Sequence, residues 1–491
     1  MNHFQRILSG VFLLLLWAIP SLTGAQCRDQ SLIWGTDDFG GAVAIEDEVV
    51  AVGARLYDFP ASDAGRVFMY RQGVEDWILE QELMAFDASA GAAFGTAVAV
   101  SPDVVVIGAP GEDSAGTNAG AVYIFRYNGV TWEPEVKITA ADASDNAEFG
   151  AAVDIFINTV VIGAPGTAEG GKAYVYEFDG ITWQADGDFT AAATAANDGF
   201  GSSLAISANS IVVGAPGQDT LGPQSGAATV FRNDGIAWTE EATLTPPDAT
   251  PYDRFGISVD INGLAVVVGA PGDDLPTISD LGTAYVFRSD GSSWNHEQKL
   301  VPVTPTLGGW FGRAVAIAQD VIVVGSPTAQ INGNGRLTTF VYDGQGWQDR
   351  PETPGLGADS LRDGFSVGTS RGWAISGAPI TGRAHLLEVN GPDCNGDGAP
   401  DRCQIANGLL DDCDLDEVPD LCGLATFEAD SGELPNLDGQ LEQQFVISSP
   451  PSAGLVTLAF EARGDLASPG EAIDVTLNGA AIGRIFAEGF S

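Results

Sequence analysis

The strongest constraint on this chain is a unit of about 50 residues that recurs seven times. Each copy begins with a Phe-Gly pair, altered to Phe-Ser in the seventh, and successive copies start at nearly equal intervals. The Phe residues of these pairs are Phe39, Phe94, Phe149, Phe200, Phe255, Phe311 and Phe365. A Gly-Ala-Pro-like triplet follows at one fixed distance from the Phe in the first six copies and slightly sooner in the seventh, at Gly377. Self-similarity at this period is typical of solenoids and propellers, whose units bury their faces against one another.

Each repeat has the pattern of four short β-strands. In the second repeat we predict strands at Ala97–Val100, Val104–Ile107, Val122–Phe125 and Thr131–Ile138. The second is apolar throughout, as expected of a strand covered on both faces, whereas the fourth alternates and carries charge, as expected of an outer edge. A lone four-stranded unit cannot bury both faces. The pattern therefore predicts an all-β, seven-bladed β-propeller over residues 26–390. A β-solenoid is the alternative, although its repeats are usually shorter.

The two ends of the repeat region complement each other. The seventh unit stops after GRAHLLEVN (382–390) and lacks a fourth strand, while Gln30–Trp34 forms an extra strand before the first Phe-Gly. We expect this N-terminal strand to complete the seventh blade and close the ring. Cys27 would then lie near Cys394, so a disulfide could lock the seam; an unpaired Cys27 is equally compatible with the sequence.

Phe-Gly followed by Gly-Ala-Pro resembles the FG-GAP repeat family, which includes the propellers of integrin α-chains. The resemblance covers residues 30–390 and implies a seven-bladed propeller and, by analogy, extracellular adhesion or ligand binding. Many FG-GAP blades carry a DxDxDGxxD calcium loop between their first two strands. Here those links are short, as in IEDEV (45–49) and VSPDV (100–104), and we assign no calcium site to the blades. A Trp in the outer strand makes the pattern similar to the bacterial FG-GAP subfamily.

Residues 1–25 have the features of a secretory signal peptide. Arg6 gives a positive start, Ile7–Ile19 is apolar, and small residues precede a cleavage position after Ala25. A transmembrane anchor would need a longer apolar core. We therefore expect a secreted or cell-surface protein with no membrane span after cleavage, in a compartment where disulfides persist.

Composition excludes several functions. With 66 Asp+Glu against 21 Lys+Arg, the formal charge of −45 disfavours nucleic acid and anionic membranes as partners. Three His residues leave little for His-based catalysis or metal binding. Gly364–Gly368 matches the GxSxG pattern, which has catalytic meaning only between a strand and a helix. We interpret it as part of the seventh repeat, take His296 and His385 as surface or packing residues, and predict no catalytic residue.

Residues 391–423 form an Asp/Cys-rich linker with two similar segments, at 393–403 and 412–422. Oxygen donors recur at alternate positions, and a backbone carbonyl near position 7 adds a ligand, which is a pattern that suits Ca²⁺. The candidate ligands are Asp393, Asn395, Asp397, Ala399 and Asp401 in the first segment and Asp412, Asp414, Asp416, Val418 and Asp420 in the second. The arrangement resembles thrombospondin type 3 repeats, which implies a calcium-stiffened rod. A solvated acidic linker that binds nothing specifically is the alternative.

Residues 424–491 contain alternating segments, such as Ala472–Leu477, and predict a partial β-sandwich. In the propeller, acidic loops such as those after Pro110 and Pro271 should cluster on one rim, either as a ligand- or cation-binding face or as solvated loops. The chain is thus predicted to be a secreted interaction or adhesion protein with an extracellular protein or glycan ligand. A polysaccharide-acting enzyme and a structural surface-layer or matrix component are the alternatives.

Overall fold

The computed structural model describes residues 30–35, 37–73, 76–274, 280–302, 307–328, 335–349, 363–389, 472–477 and 480–486. Within these ranges the regular structure is all β. Strands β1 to β28 form seven four-stranded antiparallel sheets, and in six of them the strands follow chain order from the innermost to the outermost.

The seven sheets are the blades, numbered along the chain. Blade one comprises β2 (Ala42–Glu46), β3 (Val49–Ala54), β4 (Arg66–Gln72) and β5 (Trp77–Leu83), preceded in the chain by β1 (Gln30–Ile33). Blades two and three comprise β6 (Ala97–Val100), β7 (Val104–Ala109), β8 (Ala121–Tyr127), β9 (Trp132–Ile138), β10 (Ala152–Phe156), β11 (Thr159–Ala164), β12 (Lys172–Phe178) and β13 (Trp183–Phe189). Blades four and five comprise β14 (Ser203–Ser207), β15 (Ser210–Ala215), β16 (Ala227–Asn233), β17 (Trp238–Leu244), β18 (Ser258–Asn262), β19 (Ala265–Ala270), β20 (Thr283–Ser289) and β21 (Trp294–Leu300). Blades six and seven comprise β22 (Ala314–Ala318), β23 (Val321–Ser326), β24 (Arg336–Tyr342), β25 (Trp347–Asp349), β26 (Ser366–Ser370), β27 (Trp373–Ala378) and β28 (Arg383–Glu388).

The blades close into a ring around a central axis. Each innermost strand lies beside the innermost strand of the next blade, and β26 of blade seven lies beside β2 of blade one. This closure confirms the predicted seven-bladed propeller and excludes the solenoid, whose ends do not meet. The predicted strands of blade two are also confirmed: β7 is fully buried, and the middle of β9 is exposed.

The N-terminal strand completes blade seven, as predicted. Strand β1 pairs antiparallel with β28, with Ser31 opposite His385. The Gln30 side chain donates to the Trp77 carbonyl (2.9 Å) and accepts from the Trp77 amide (2.6 Å) of blade one. Gln81 in β5 makes the same pair of bonds with Trp132 of blade two. Strand β1 therefore has both the strand pairing and the inter-blade contact of an ordinary fourth strand. The predicted disulfide between Cys27 and Cys394 lies outside the described residues.

Two glycines of each repeat meet at the blade interfaces. A Cβ on Gly53, in the triplet of blade one, would overlap the Gly95 carbonyl oxygen of the next Phe-Gly pair, and Gly108 stands in the same relation to Gly150. Glycine is required there because the two backbones touch. The Phe beside each of these glycines fills the core; Phe94 is fully buried, with its ring centroid 5.4 Å from that of Tyr123 on β8.

In the seventh repeat, the position equivalent to Phe-Gly lies two residues earlier than the sequence-based assignment placed it. Its Phe-Gly position is occupied by Asp363-Gly364, because Gly364 contacts Gly325 of blade six just as Gly95 contacts Gly53. The pairing of Ser366 with Gly377 is likewise equivalent to that of Ala97 with Gly108. The assignment of Phe365-Ser366 to this position was wrong by two residues. In sequence, a Phe followed by a small residue resembles a Phe-Gly pair, but in the structure the backbone contact between blades is made by Gly364.

Strands β29 (Ala472–Leu477) and β30 (Ala480–Phe486) form an antiparallel hairpin in a second unit, separate from the propeller. The hairpin confirms the strand predicted at Ala472–Leu477. The rest of the predicted sandwich and the Asp/Cys-rich linker lie outside the described residues.

Candidate ligand-binding face

The connections between strands divide the propeller into two faces. Loops from a second to a third strand, and from a fourth strand to the next blade, leave the same end of the antiparallel sheets. We call this end the loop face; its described residues are 34–35, 37–41, 55–65, 84–96, 110–120, 139–151, 165–171, 190–202, 216–226, 245–257, 271–274, 280–282, 301–302, 307–313, 327–328, 335, 363–365 and 379–382. The opposite end, the turn face, carries tight hairpin turns.

Neighbouring loops of the loop face are tied to one another. The Thr117 amide donates to the Asp145 carboxylate (2.9 Å), and the Asn146 amide donates to the Thr117 carbonyl (2.7 Å). Asp113 closes its own loop by accepting from the Asn118 amide (2.7 Å). The acidic loop that follows Pro110 therefore joins the inter-blade loop on one rim, as the sequence predicts.

Carboxylates on this rim recur in one arrangement. Asp87 accepts from the Tyr123 hydroxyl and from the Lys137 ammonium, both at 2.7 Å. Lys137 also contacts Glu112 at 2.9 Å. Although partial burial of Asp87 opposes its ionisation, the bonds from Lys137 and Tyr123 together lower the pKa of this carboxyl. Lys137 thus offsets part of the negative charge of Asp87 and Glu112.

The same pair of contacts to Asp is present in two further blades, although the lysine lies on the third strand in blade three and on the fourth strand in blades two and five. Asp142 accepts from Tyr174 (2.8 Å) and Lys172 (2.6 Å) in blade three. Asp248 accepts from Tyr285 (2.8 Å) and Lys299 (2.7 Å) in blade five. Sequence reasoning missed these clusters, although the recurring Asp-Ala-Ser/Thr segments at 87–89, 142–144 and 248–250 are a visible signal. They stabilise the rim and leave these carboxylates little capacity for another cation.

Two carboxylates lie at the inner edge of the ring. Asp154 accepts from the Ile155 amide (2.8 Å) and from the Ile206 amide of blade four (2.7 Å). Asp260 binds Ile261 (2.8 Å) and Ile317 of blade six (2.7 Å) in the same way. Burial raises the pKa of each carboxyl to about 7, against the opposing effect of these amides. Each carboxyl joins the innermost strands of two adjacent blades.

One position on the loop face differs from blade to blade while its backbone stays the same. The residue before the buried Phe has a left-handed φ between 53° and 66° in blades one to six. These mouth positions are Asp38, Ala93, Glu148, Gly199, Arg254 and Trp310. Conformation is thus conserved while charge and size vary, so the frame can present different chemistry in each blade.

Apolar side chains are exposed beside blade one. Phe59, Met84 and Phe86 are 61%, 38% and 59% exposed. They lie at or near a groove of about 710 Å³ whose lining includes Pro60 and Trp132. An exposed apolar patch on a charged surface is typical of a contact site for another macromolecule.

The GxSxG segment is structural, as predicted. Ser366 begins the innermost strand β26, and its hydroxyl donates to the Gly40 carbonyl of blade one (2.9 Å). His296 is exposed, with its ring centroid 5.6 Å from that of Phe287, which fits the surface or packing role. His385 is buried, and its Nδ1 lies 2.9 Å from the Ser31 hydroxyl.

The ten candidate calcium ligands between Asp393 and Asp420 lie outside the described residues. Within the described ranges, no group of three or more His, Cys, Asp or Glu side chains is placed to hold a metal ion. Among the same residues, no helix is long and apolar enough to cross a membrane.

Comparison with known proteins identifies the family of these repeats. The FG-GAP repeat family matches five segments, 77–125, 132–176, 183–231, 238–287 and 294–342, each running from the fourth strand of one blade to the third of the next. Human integrin alpha-X is 26% identical over 202 residues, covering 37% of this chain and 17% of that protein. The crystal structure of the computationally designed Ika8 protein aligns with 72% of this chain and 83% of its own, at 19% identity and a TM-score of 0.43. From the matched segments and the closed ring, this chain is an FG-GAP repeat protein whose repeats build a seven-bladed β-propeller.

Proposed function

We propose that this chain is a secreted, non-enzymatic adhesion or interaction protein whose loop face binds an extracellular protein ligand. The observation that carries the proposal is the set of mouth positions, where one backbone conformation presents acidic, basic, aromatic and small side chains in different blades. A closed ring holds these side chains in fixed positions, which lowers the entropic cost of binding. The resemblance to integrin α-chains supports a protein as the ligand.

The apolar groove beside blade one favours the same ligand class. Exposed Phe59 and Phe86 lie on the loop face among charged residues. This combination resembles a protein interface, which has an apolar centre and a polar rim. The ion pairs of Asp87, Asp142 and Asp248 with lysine stabilise this rim.

We further propose that residues 391–423 form a calcium-stabilised stalk. Asp393, Asn395, Asp397, Ala399 and Asp401 would hold one Ca²⁺, and Asp412, Asp414, Asp416, Val418 and Asp420 a second. Nine acidic residues and one Arg between residues 391 and 423 repel one another unless a cation neutralises them. Residues 1–25 would direct export.

Calorimetry of the full chain tests the stalk. Calcium should bind with measurable heat, and a chelator should leave the melting of the propeller unchanged, because the blades have their own core. Absence of binding heat, or a propeller transition that moves with the chelator, would contradict the proposal. N-terminal sequencing of protein recovered from the medium tests cleavage after Ala25.

Binding is tested with the full chain on an array of purified extracellular matrix proteins and glycans. The loop-face variants Phe59→Ser and Phe86→Ser should weaken capture of a protein spot by about tenfold or more, as expected for aromatic contact residues. Ile181→Ser and Ile236→Ser are matched controls, since both isoleucines are exposed on the turn face (85% and 92%). Equal loss in both sets, binding to glycans alone, or turnover of a glycan would overturn the proposal.

A further inference from the structure

An arginine lies at the mouth of the central channel. Arg313 directly follows Phe311-Gly312 and precedes the innermost strand of blade six. The equivalent residues in the other blades are small or uncharged: Gly41, Thr96, Ala151, Ser202, Ile257 and Phe365. Because the innermost strands surround the axis, these seven positions encircle the channel on the loop face. Arg313 is the one charged residue among these seven described positions.

The guanidinium of Arg313 has no hydrogen bond and no ion pair among the described residues. It is half-buried, and its contact is with the ring of Phe365 in blade seven, 4.9 Å from the centroid. Acidic residues outnumber basic ones by 66 to 21 in this chain, and other half-buried arginines, such as Arg126 and Arg288, do find carboxylates. Among the described half-buried arginines, Arg313 shares the lack of a carboxylate partner with Arg383 of β28, and of these two it is Arg313 that lies at the channel mouth.

A second arginine adds positive charge at the same place. Arg55 stands where all six other blades have the Pro of the Gly-Ala-Pro or Gly-Ser-Pro triplet, and its Nε contacts the Asp38 carboxylate at 2.5 Å. Burial lowers the pKa of Arg313, and the charge of Arg55 lowers it further. Asp38 balances only one of the two guanidinium groups. The mouth thus keeps an excess positive charge within a strongly acidic protein.

We propose that Arg313, reinforced by Arg55, binds a carboxylate group that a protein ligand inserts into the mouth of the channel. The planar guanidinium offers parallel N–H donors that match the two oxygens of a carboxylate. Binding would also neutralise a half-buried charge that, among the described residues, is offset by the ring of Phe365 and by no carboxylate. This inference rests on the proposed role of the loop face.

A protein side chain suits the mouth better than an acidic sugar. The guanidinium is recessed against Phe365, so an incoming carboxylate must stand at the end of a slender chain, as in glutamate. The carboxylate of a uronic acid is attached directly to a bulky ring. Trp310 (45% exposed) and Tyr252 (60% exposed) lie on nearby loops, and such aromatic residues are enriched where proteins contact each other.

The site is tested by melting the full chain with N-acetyl-glutamic acid α-amide at constant ionic strength. The probe should raise the melting temperature, because a ligand that binds only the folded state stabilises it. Uncharged N-acetyl-glutamine amide should not. The increase should disappear in Arg313→Gln and persist in Arg371→Gln, a control arginine that is exposed on the turn face. No increase in the wild type, or an equal increase in Arg313→Gln, would overturn the proposal, and so would a response to glucuronate alone.

Two further measurements separate this site from the function of the face. Arg313→Gln should leave the melting temperature without probe unchanged or raised, since it removes a half-buried charge that pairs with no described carboxylate. A clear decrease would show a structural partner and overturn the proposal. On the protein array, Arg313→Gln should weaken capture about tenfold or more, as for a hydrogen bond to a charged group. Undiminished capture would overturn the site and leave the loop-face proposal intact. If the array captures nothing, the function fails, while the probe still decides the site.

Discussion

Blades one to six and blade seven build the same sheet around different interiors. In blade two, Phe94 packs on Tyr123, with Ile107 of the second strand beside them. In blade seven the equivalent positions hold Asp363, His385 and Ser376, all buried. The glycine contact between blades is nevertheless the same in both. The difference teaches that the backbone approach of Gly to Gly defines a blade, whereas the aromatic filling is replaceable.

Some of the buried polar groups of blade seven form hydrogen bonds with one another. The Ser376 hydroxyl donates to Asp363 and accepts from the Gly364 amide (2.8 Å). Burial raises the pKa of the Asp363 carboxyl and lowers that of the His385 imidazole, so both groups favour their neutral forms. Neutral groups are much less costly to bury than charged ones. Ser31 on β1 supplies a further contact to His385, so this polar core includes the closing strand.

The largest effect should come from the glycines that both regions share. Gly53→Ala in blade one and Gly325→Ala at the entry to blade seven each place a Cβ on a backbone carbonyl. Each should lower the free energy of unfolding by about 4 kcal/mol or more, at the upper limit of single substitutions. Urea denaturation measures this, with Gly35→Ala, which meets only a side-chain atom at 3.9 Å, as the control. A mild effect at Gly325 alone would break the equivalence of the two interfaces.

Truncating the central core side chain should lower the free energy of unfolding more in blade two than in blade seven. Phe94→Ala should cost about 3–5 kcal/mol, as expected for a fully buried ring. Asp363→Ala should cost about 1–3 kcal/mol, because it leaves the Ser376 hydroxyl without its acceptor. Both are read from the same urea titrations. Equal costs would show that the seventh core contributes as much as an aromatic one.

Blades three and five have an Asp on the innermost strand, Asp154 and Asp260, where the other blades have Ala or Gly. The folded carboxyls keep their protons up to about pH 7, whereas unfolded ones lose them near pH 3.8. The folded state thus binds more protons in this interval, and raising the pH should lower the free energy of unfolding. Asp154→Asn should flatten this slope relative to the turn-face control Asp103→Asn. An unchanged slope would show that Asp154 is ionised throughout.

The smallest effect should come from His385. Its pKa is below the ordinary 6.5 because of burial, so the unfolded state binds more protons as the pH falls below 6.5. The wild type should therefore lose stability with falling pH relative to His385→Phe, which places an aromatic residue at this position, as in blades one, two, three and five. The difference between the two unfolding curves from pH 8 to pH 5 measures this. A difference that stays constant would mean that His385 titrates alike in both states.

Much of the architecture could be predicted because a repeat of this length leaves few ways to bury the faces of each sheet. The count of blades, the strands of blade two and the closing role of Gln30–Trp34 all follow from it. The register of blade seven could not, since Phe365-Ser366 resembles the pair and only the contact of Gly364 with Gly325 decides. The lack of a described carboxylate beside Arg313 could not be predicted either, because the partners of a side chain depend on what surrounds it in space.

The pairing of β1 with β28 fixes the order in which the molecule can be completed. Ser31 meets His385 across 354 positions of the chain. Blade seven can be completed only after β28 has been synthesised, because β1, its outermost strand, pairs with β28. Closing so long a loop adds little entropy beyond that of a shorter one, but such distant contacts form late. Synthesis and final assembly are thereby coupled, because a chain that ends before residue 383 lacks the strand with which β1 pairs.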